Sequence, residues 1–163
     1  METASASPLP WPVTVQKFGG TSVGDAERLR KVAGRIARVV ASGSKVVVAV
    51  SAMGRTTDRL ISLAREISAR PSRRELDVLM ATGEQQSIAL LCMALHELGI
   101  AARSFDGSQA GIVTDSLHGS ARILGVEPKG LIKALHDVDV AVVAGFQGAD
   151  TGGNRTTLGR GGS

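Results

Sequence analysis

Two runs of mostly apolar, valine-rich residues constrain the fold of this chain most strongly. The runs are KVVVAV, residues 45–50, and VDVAVVAGF, residues 138–146. Strands that are buried on both faces have this pattern, whereas a strand with one solvated face alternates apolar and polar residues. Because such strands belong to parallel sheets covered by helices, the two runs predict an α/β domain with a mostly parallel sheet at its centre.

The segments around the first run predict a complete βαβ unit. PVTVQKF, residues 12–18, is short and β-branched, and Gly19 and Gly20 follow it, so it is expected to be a strand that enters a tight turn. Apolar residues then recur at helical spacing from Asp25 until Gly43, where the helix is expected to stop. We therefore expect one domain over residues 13–163, preceded by a disordered extension over residues 1–12.

The rest of the chain continues the alternation of helices and strands. A helix is expected after Thr57, and a capping box of Ser72 with Glu75 predicts an αα-hairpin whose two helices meet at Glu84. Further expected elements are short strands at 100–105, 111–114 and 122–126 and a helix opened by Pro128. This order predicts helices on both faces of the sheet.

Composition narrows the class of protein. The chain has 163 residues, of which 43% are hydrophobic and 21% charged, as in one globular domain. It shows neither a run of about 20 apolar residues nor a secretory signal, so we expect no membrane partner and a cytoplasmic location.

The single cysteine, Cys92, lies in an apolar helical stripe and is expected in the core. The net charge is +4, but only 2% of the residues are aromatic, so we expect no nucleic-acid partner.

Candidate functional residues lie where the predicted strands end, because ligands of α/β sheets bind outside the carboxyl ends of the strands. KFGGTS follows the first strand: Lys17 can place an ammonium beside a phosphate, and Gly19 and Gly20 allow the backbone to approach it. The hydroxyls of Ser51 and Thr57 follow the second strand, where they either contact a ligand or cap the next helix. The arrangement suits phosphoryl chemistry, although a plain strand-to-helix turn with a surface lysine has the same sequence.

The standard nucleotide-binding motifs are absent. Gly148 and Gly153 have the separation of a Walker loop, but Asn154 stands in place of its lysine, and no G-x-G-x-x-G follows a strand. Glu84 either pairs with a substrate ammonium or is an ordinary first-turn glutamate. Arg160, in the C-terminal segment TTLGRGGS, can clamp a carboxylate or a phosphate.

The three histidines have no metal-ligand spacing. His96, His118 and His136 are therefore expected to be surface or structural residues, and no metal site formed by the protein is expected.

Six segments resemble the aspartokinase family in their order and spacing. They are VQKFGGTSVGD, VVVAVSAMGRTTDRL, ELDVLMATGEQQSIALL, QAGIVTDSLHGSARI, VVAGFQG and TTLGRGGS, and the resemblance covers residues 13–163. It implies the three-layer αβα sandwich of amino acid kinases. It also implies transfer of the γ-phosphoryl group of Mg-ATP to the side-chain carboxylate of L-aspartate, giving 4-phospho-L-aspartate for lysine, threonine and methionine biosynthesis.

The resemblance also implies a role for each matching residue. The phosphate loop would contain Lys17, Phe18, Gly19, Gly20 and Ser22, with Lys17 offsetting charge on the transferring group. Around the substrate, Glu84 would engage the aspartate ammonium and Arg160 a carboxylate, while the remaining contacts would come from Ser51, Thr57, Phe146 and Ser163. ATP, with Mg²⁺ held mainly by ATP, is implied as the cofactor, and a homo-oligomer is implied for the full-length family member.

One departure from the family pattern lies at the C-terminal side. In the family the final serine is followed by Asp-Thr-Thr-Ala, a segment that holds the nucleotide, and ACT-type regulatory domains. We therefore expect a sandwich truncated at this side, with an exposed sheet edge. Two hypotheses remain open: the chain is part of a longer aspartate kinase, or it is a non-catalytic remnant that binds aspartate or a partner subunit without turnover.

Overall fold

The computed structural model describes residues 9–159, which form four helices and eight strands. The strands are β1 (Val13–Phe18), β2 (Lys45–Val50), β3 (Ala102–Phe105), β4 (Ile112–Thr114), β5 (Ile123–Val126), β6 (Val140–Ala144), β7 (Gln147–Asp150) and β8 (Arg155–Thr157). The helices are α1 (Ala26–Ala41), α2 (Thr56–Ile67), α3 (Arg73–His96) and α4 (Lys129–Ala134).

The first sheet is parallel throughout and has the strand order β1-β2-β6-β3. Its two central strands are the two apolar runs of the sequence, paired in register from Val46 opposite Val140 to Val50 opposite Ala144. Every residue of β6 is buried, which explains why its sequence contains no polar residue. The prediction of a parallel sheet built around these two runs is confirmed.

Helices cover both faces of this sheet. On one face, Val48 and Val142 pack in a core cluster with residues of α1 and α3, among them Ile36 and Leu91. On the other face, Ala141 and Val143 pack with Leu131 and Ala134 of α4 and with Leu135, which caps its C-terminus. The domain is a three-layer αβα arrangement, as the sequence predicted.

Cys92 lies in the first of these clusters and is only 6% exposed, as expected from the sequence. Burial raises the pKa of its thiol to about 11, because the thiolate would lose its hydration. We expect a disulfide reagent to leave Cys92 unmodified at pH 8 in the folded chain and to modify it fully in denaturant. Rapid modification of the folded chain would contradict this packing.

The predicted αα-hairpin is wrong: residues 73–96 form the single continuous helix α3. The helix begins directly after Ser72, as expected, but the Ser72 side chain makes no capping hydrogen bond, and Glu75 pairs with Arg74 instead. Gly83 and Glu84, where a break was expected, are buried in the middle of the helix. A helix-internal glycine weakens local helix propensity, but tertiary packing overrides that weakness here.

Helix α3 is long and apolar enough, by length and composition alone, to cross a membrane. However, half of its most apolar stretch of 18 residues is buried inside the fold. The helix also carries two buried acidic residues, Asp77 and Glu84. These are the properties of a core helix. The expectation from the sequence, that no segment is long and apolar enough to span a bilayer, is corrected for α3.

A second, mixed sheet has the strand order β5-β4-β7-β8. Strand β7 pairs parallel to β4 and antiparallel to β8, and neither β7 nor β8 was predicted. Both are short and carry glycine or polar residues, QGAD and RTT, so their strand character comes from long-range pairing and not from local preference. This sheet places the loop between β4 and β5 over the N-terminal half of α3, where Gly119 hydrogen-bonds Asp77.

Gly20, in the turn after β1, is required by a close backbone approach. A Cβ atom there would lie 2.7 Å from the carbonyl oxygen of Ala52, in the loop after β2. We expect Gly20→Ala to lower the free energy of unfolding by about 2 kcal/mol in urea denaturation, because the two loops must separate. Gly34→Ala is the matched control: it lies in α1 with nothing within 4 Å of its added Cβ, and it should raise stability by about 0.5–1 kcal/mol. Equal effects would contradict the close contact.

Candidate functional site

A cavity of about 780 Å³ opens at the carboxyl ends of β1, β2 and β6, beside α2 and α3. Five residues predicted from the sequence line it together: Gly20, Ser51, Thr57, Glu84 and Phe146. Its other polar lining residues include Asp58, Ser62, Arg65, Arg73, His118 and Ser120. The position agrees with the rule that α/β sheets bind ligands outside the carboxyl ends of their strands.

Glu84 is the most unusual group in this cavity. Its side chain projects from α3 with only 2% of the residue exposed. Oε1 accepts a hydrogen bond of 3.0 Å from the backbone N–H of Ala52, while Oε2 has no hydrogen-bond partner within the described residues. A buried carboxylate oxygen without a partner is costly, so the geometry provides an acceptor for a cationic or hydrogen-bond-donating ligand.

Burial raises the pKa of Glu84 to about 7, and the Ala52 N–H offsets part of this rise. The physical cause is that the charged carboxylate would be held in a poorly hydrated site without a counter-charge. A ligand ammonium placed at Oε2 would supply that charge and favour the ionised form.

Gly83 explains how Glu84 reaches the loop after β2. A Cβ atom at Gly83 would lie 2.9 Å from the Cβ of Ala52 and 3.4 Å from Cγ2 of Thr56. Because Gly83 has no side chain, α3 packs directly on this loop, and the Glu84 carboxylate meets the Ala52 N–H. The Thr-Gly-Glu sequence therefore does not end a helix. It lies in the middle of α3, where Gly83 allows the helix to pack closely on the loop after β2.

The predicted phosphate loop adjoins the cavity through Gly20. Lys17 is exposed at the end of β1, and its Nζ lies 3.7 Å from the position that a Cβ of Gly19 would occupy. The lysine ammonium thus lies over the glycine turn. The N–H of Gly54 donates to the carbonyl of Gly20 over 3.1 Å, and this bond ties the turn to the loop after β2.

Among the described residues, four predicted site residues are not part of the cavity lining, namely Lys17, Phe18, Gly19 and Ser22. Phe18 packs against the core, and its carbonyl accepts a hydrogen bond from the N–H of Ser51. Ser22 lines a separate groove beside α1 and donates its N–H to the carbonyl of Gly19. Arg160 and Ser163 lie outside the described residues.

Phe146, two residues after the end of β6, has a left-handed backbone conformation with a φ of 64°. Such a φ is uncommon for a non-glycine residue and stores local strain. The carbonyl of Phe146 accepts a hydrogen bond of 2.8 Å from the N–H of Leu158, which fixes the strand end at the cavity wall. Phe146 and Leu158 both line the cavity.

Sequence reasoning missed the pair formed by Asp77 and His118. His118 was expected to be a surface or structural residue, but it lines the cavity and its Nδ1 lies 2.8 Å from Oδ2 of the buried Asp77. His96 and His136 agree with the expectation, since His96 contacts the carbonyl of Ala102 and His136 packs on the ring of Trp11. No local signal marks Asp77 and His118, because 41 residues separate them.

The cavity wall carries charges of both signs. Glu84 and Asp58 are acidic, whereas Arg65 and Arg73 are basic and form no salt bridge within residues 9–159. In the same part of the chain, no group of three His, Cys, Asp or Glu side chains could hold a metal ion. The cavity therefore suits a small ligand that carries both an ammonium and a carboxylate.

The profile of the amino acid kinase family matches residues 12–163, so the chain belongs to that family. It is 54% identical over 151 residues to the aspartokinase of Geobacillus stearothermophilus, which covers 93% of this chain and 37% of that protein. The resemblance to aspartokinases seen in the six sequence motifs is thereby confirmed.

Solved structures give the same result. The aspartate kinase of Synechocystis is 47% identical with a TM-score of 0.76, and the match covers 93% of this chain and 24% of that one. E. coli aspartokinase III in complex with lysine and aspartate is 25% identical with a TM-score of 0.74, over 93% of this chain and 44% of that one. The chain spans a little over a third of the length of the curated relatives it matches.

Proposed function

We propose that this chain is the aspartate-binding part of an aspartate kinase, which transfers the γ-phosphoryl group of ATP to the side-chain carboxylate of L-aspartate. The observation that carries the proposal is the buried Glu84, which lines the cavity and whose Oε2 has no hydrogen-bond partner within the described residues. An amino acid ammonium is the complementary group. The 54% identity to an aspartokinase and the aspartate in the E. coli complex support aspartate as that amino acid.

The proposed reaction needs positioning and charge neutralisation. An oxygen of the aspartate side chain attacks the γ-phosphorus, the bond from phosphorus to the bridging oxygen breaks, and ADP leaves. The attacking carboxylate is already ionised, so no general base is required. Lys17, above the glycine turn, would offset negative charge on the transferring group, and Gly19, which has no side chain beside the Lys17 ammonium, would let the phosphates approach the backbone.

The residues present fit a phosphate, because the turn has no side chain at Gly19 and Gly20 and the Lys17 ammonium lies beside Gly19. Mg²⁺ would be held mainly by the phosphates of ATP and would shield their charge during transfer. Residues of this chain would orient the aspartate, with Glu84 at its ammonium, so that a side-chain carboxylate oxygen faces the γ-phosphoryl group.

Trapping of the acyl phosphate by hydroxylamine tests the proposal. The assay compares this chain alone with the chain joined at Ser163 to the C-terminal remainder of the Geobacillus aspartokinase. We expect hydroxamate from the joined form only when both ATP and L-aspartate are present. No hydroxamate from a folded joined form would contradict the aspartate kinase assignment.

A second candidate is a non-catalytic chain that binds aspartate or a partner subunit without turnover. The same cavity and the same Glu84 would serve this candidate, which differs from the first only in turnover. Hydroxamate formation by the chain on its own would exclude this candidate.

A further inference from the structure

The second carboxylate of α3 lies on the same helix face as Glu84. Asp77 precedes Glu84 by seven residues, which is two helical turns, so the two Cα atoms lie about 10 Å apart along the helix. Glu84 projects into the cavity, while Asp77 is completely buried beneath its wall. The groups that surround Asp77 therefore determine which polar atoms are available to a ligand at the end of the cavity away from Glu84.

Three hydrogen-bond donors converge on Asp77. The N–H of Gly119 lies 3.1 Å from each carboxylate oxygen, and the hydroxyl of Thr157 donates to Oδ1. The third donor is Nδ1 of His118, 2.8 Å from Oδ2. Because the carboxylate accepts all three bonds, the proton on the near side of the ring is fixed on Nδ1.

The other ring nitrogen of His118 is left for the cavity. Nδ1 and Nε2 point away from each other across the imidazole, and Nε2 has no hydrogen bond within residues 9–159. The side chain is 19% exposed and the residue lines the cavity that Glu84 enters. The Asp77 bond thus orients the ring and leaves one polar atom for a ligand.

We propose that His118, oriented by Asp77, binds a carboxylate of the amino acid substrate at the end of the cavity opposite Glu84. With both ring nitrogens protonated, Nε2 donates to the substrate oxygen while Asp77 supplies the balancing charge. Asp77 is then a positioning residue, and His118 is a substrate-binding residue that helps the site select an acidic amino acid. This inference rests on the proposed function, because it takes the ligand of Glu84 to be aspartate.

Two amide substitutions separate binding from a purely structural role. In His118→Asn the amide nitrogen replaces Nδ1, so the bond to Asp77 is kept and the cavity donor is lost. In His118→Gln the longer side chain places its amide nitrogen where Nε2 was, so the cavity donor is kept and the bond to Asp77 is lost.

Calorimetric titration of the chain with L-aspartate at pH 7, together with its Tm, gives the two readouts. We expect His118→Asn to weaken aspartate binding about 30-fold, with a Tm close to that of the unsubstituted chain. His118→Gln should weaken binding only about fivefold, because a neutral donor replaces a charged one, and should lower the Tm by about 2–4 °C.

Wild-type affinity in His118→Asn, or equal losses of affinity in both variants, would overturn the inference. Glu84→Gln, titrated in parallel, identifies which proposal has failed. Loss of binding in Glu84→Gln alone would overturn the role of His118 and leave the aspartate site intact. No binding by the unsubstituted chain would overturn both.

Discussion

Glu84→Gln is expected to raise the KM for L-aspartate about 100-fold in the joined, active form, with the KM for ATP changed less than about threefold. The amide oxygen can keep the hydrogen bond from Ala52, but its NH₂ group then occupies the place of Oε2. A donor would face the substrate ammonium where an acceptor stood before. Loss of a hydrogen bond between charged groups costs about 1.5–3 kcal/mol, and the upper part of this range corresponds to the expected rise in KM.

Asp58→Asn is the matched control for this substitution. It also removes one carboxylate charge from the cavity wall, but Asp58 is exposed and lies 3.8 Å from Arg55. We expect less than a threefold change in either KM, because exposed charges contribute little. Equal changes in the two KM values for Glu84→Gln would mean that Glu84 does not bind the ammonium. Glu84→Ala, which also removes the carboxylate, should likewise raise the KM for L-aspartate far more than the KM for ATP.

The second large effect is a loss of stability as the pH rises. The pKa of Glu84 is about 7 in the folded chain, whereas an exposed glutamate has a pKa of about 4.5. Between these values the folded state holds a proton that the unfolded state has released, so the free energy of unfolding falls as the pH rises from about 4.5 to 7. The contribution of this one group is about 3 kcal/mol.

Urea unfolding of the chain and of Glu84→Gln at pH 5 and pH 8 measures this contribution. The difference between the two proteins removes the titration of all other groups, including Asp150, whose pKa is lowered by its hydrogen bonds to Asn154 and other neighbours. We expect Glu84→Gln to gain stability relative to the unsubstituted chain between pH 5 and pH 8. A difference that does not change with pH would contradict the burial of an unpaired Glu84 carboxyl group.

The sequence predicted the central βαβ unit almost to the residue. Helix α1 begins directly after Asp25, whose side chain caps it over 2.8 Å, and β2 spans the predicted residues 45–50. These elements are specified by local signals, namely a cap, helical apolar spacing and a run of β-branched residues. The continuity of α3 and the pairing of β7 with β4 were missed because they depend on contacts with distant parts of the chain.

The site was predicted in part for the same reason. Gly20, Ser51 and Phe146 follow strand ends, and parallel strands bring their carboxyl ends to one edge, so their proximity follows from topology. The partner-free Oε2 of Glu84 could not be predicted, because it results from the packing of Gly83 on the loop after β2. The Asp77–His118 pair joins a helix to a loop of the second sheet, whose strands were only partly predicted.

Aspartate binding in the cavity beside Glu84 is tested by titrating the ¹⁵N-labelled chain with L-aspartate at pH 7 and following the backbone amides by NMR. The Ala52 amide, bonded to Glu84, and the Gly119 amide, bonded to Asp77, report on the two ends of the cavity. Gly34, in α1, is not part of the cavity lining and serves as the internal control. We predict that the Ala52 and Gly119 amides shift with one shared Kd while Gly34 does not move. An Ala52 amide that does not shift at saturating aspartate would mean that aspartate does not bind at Glu84.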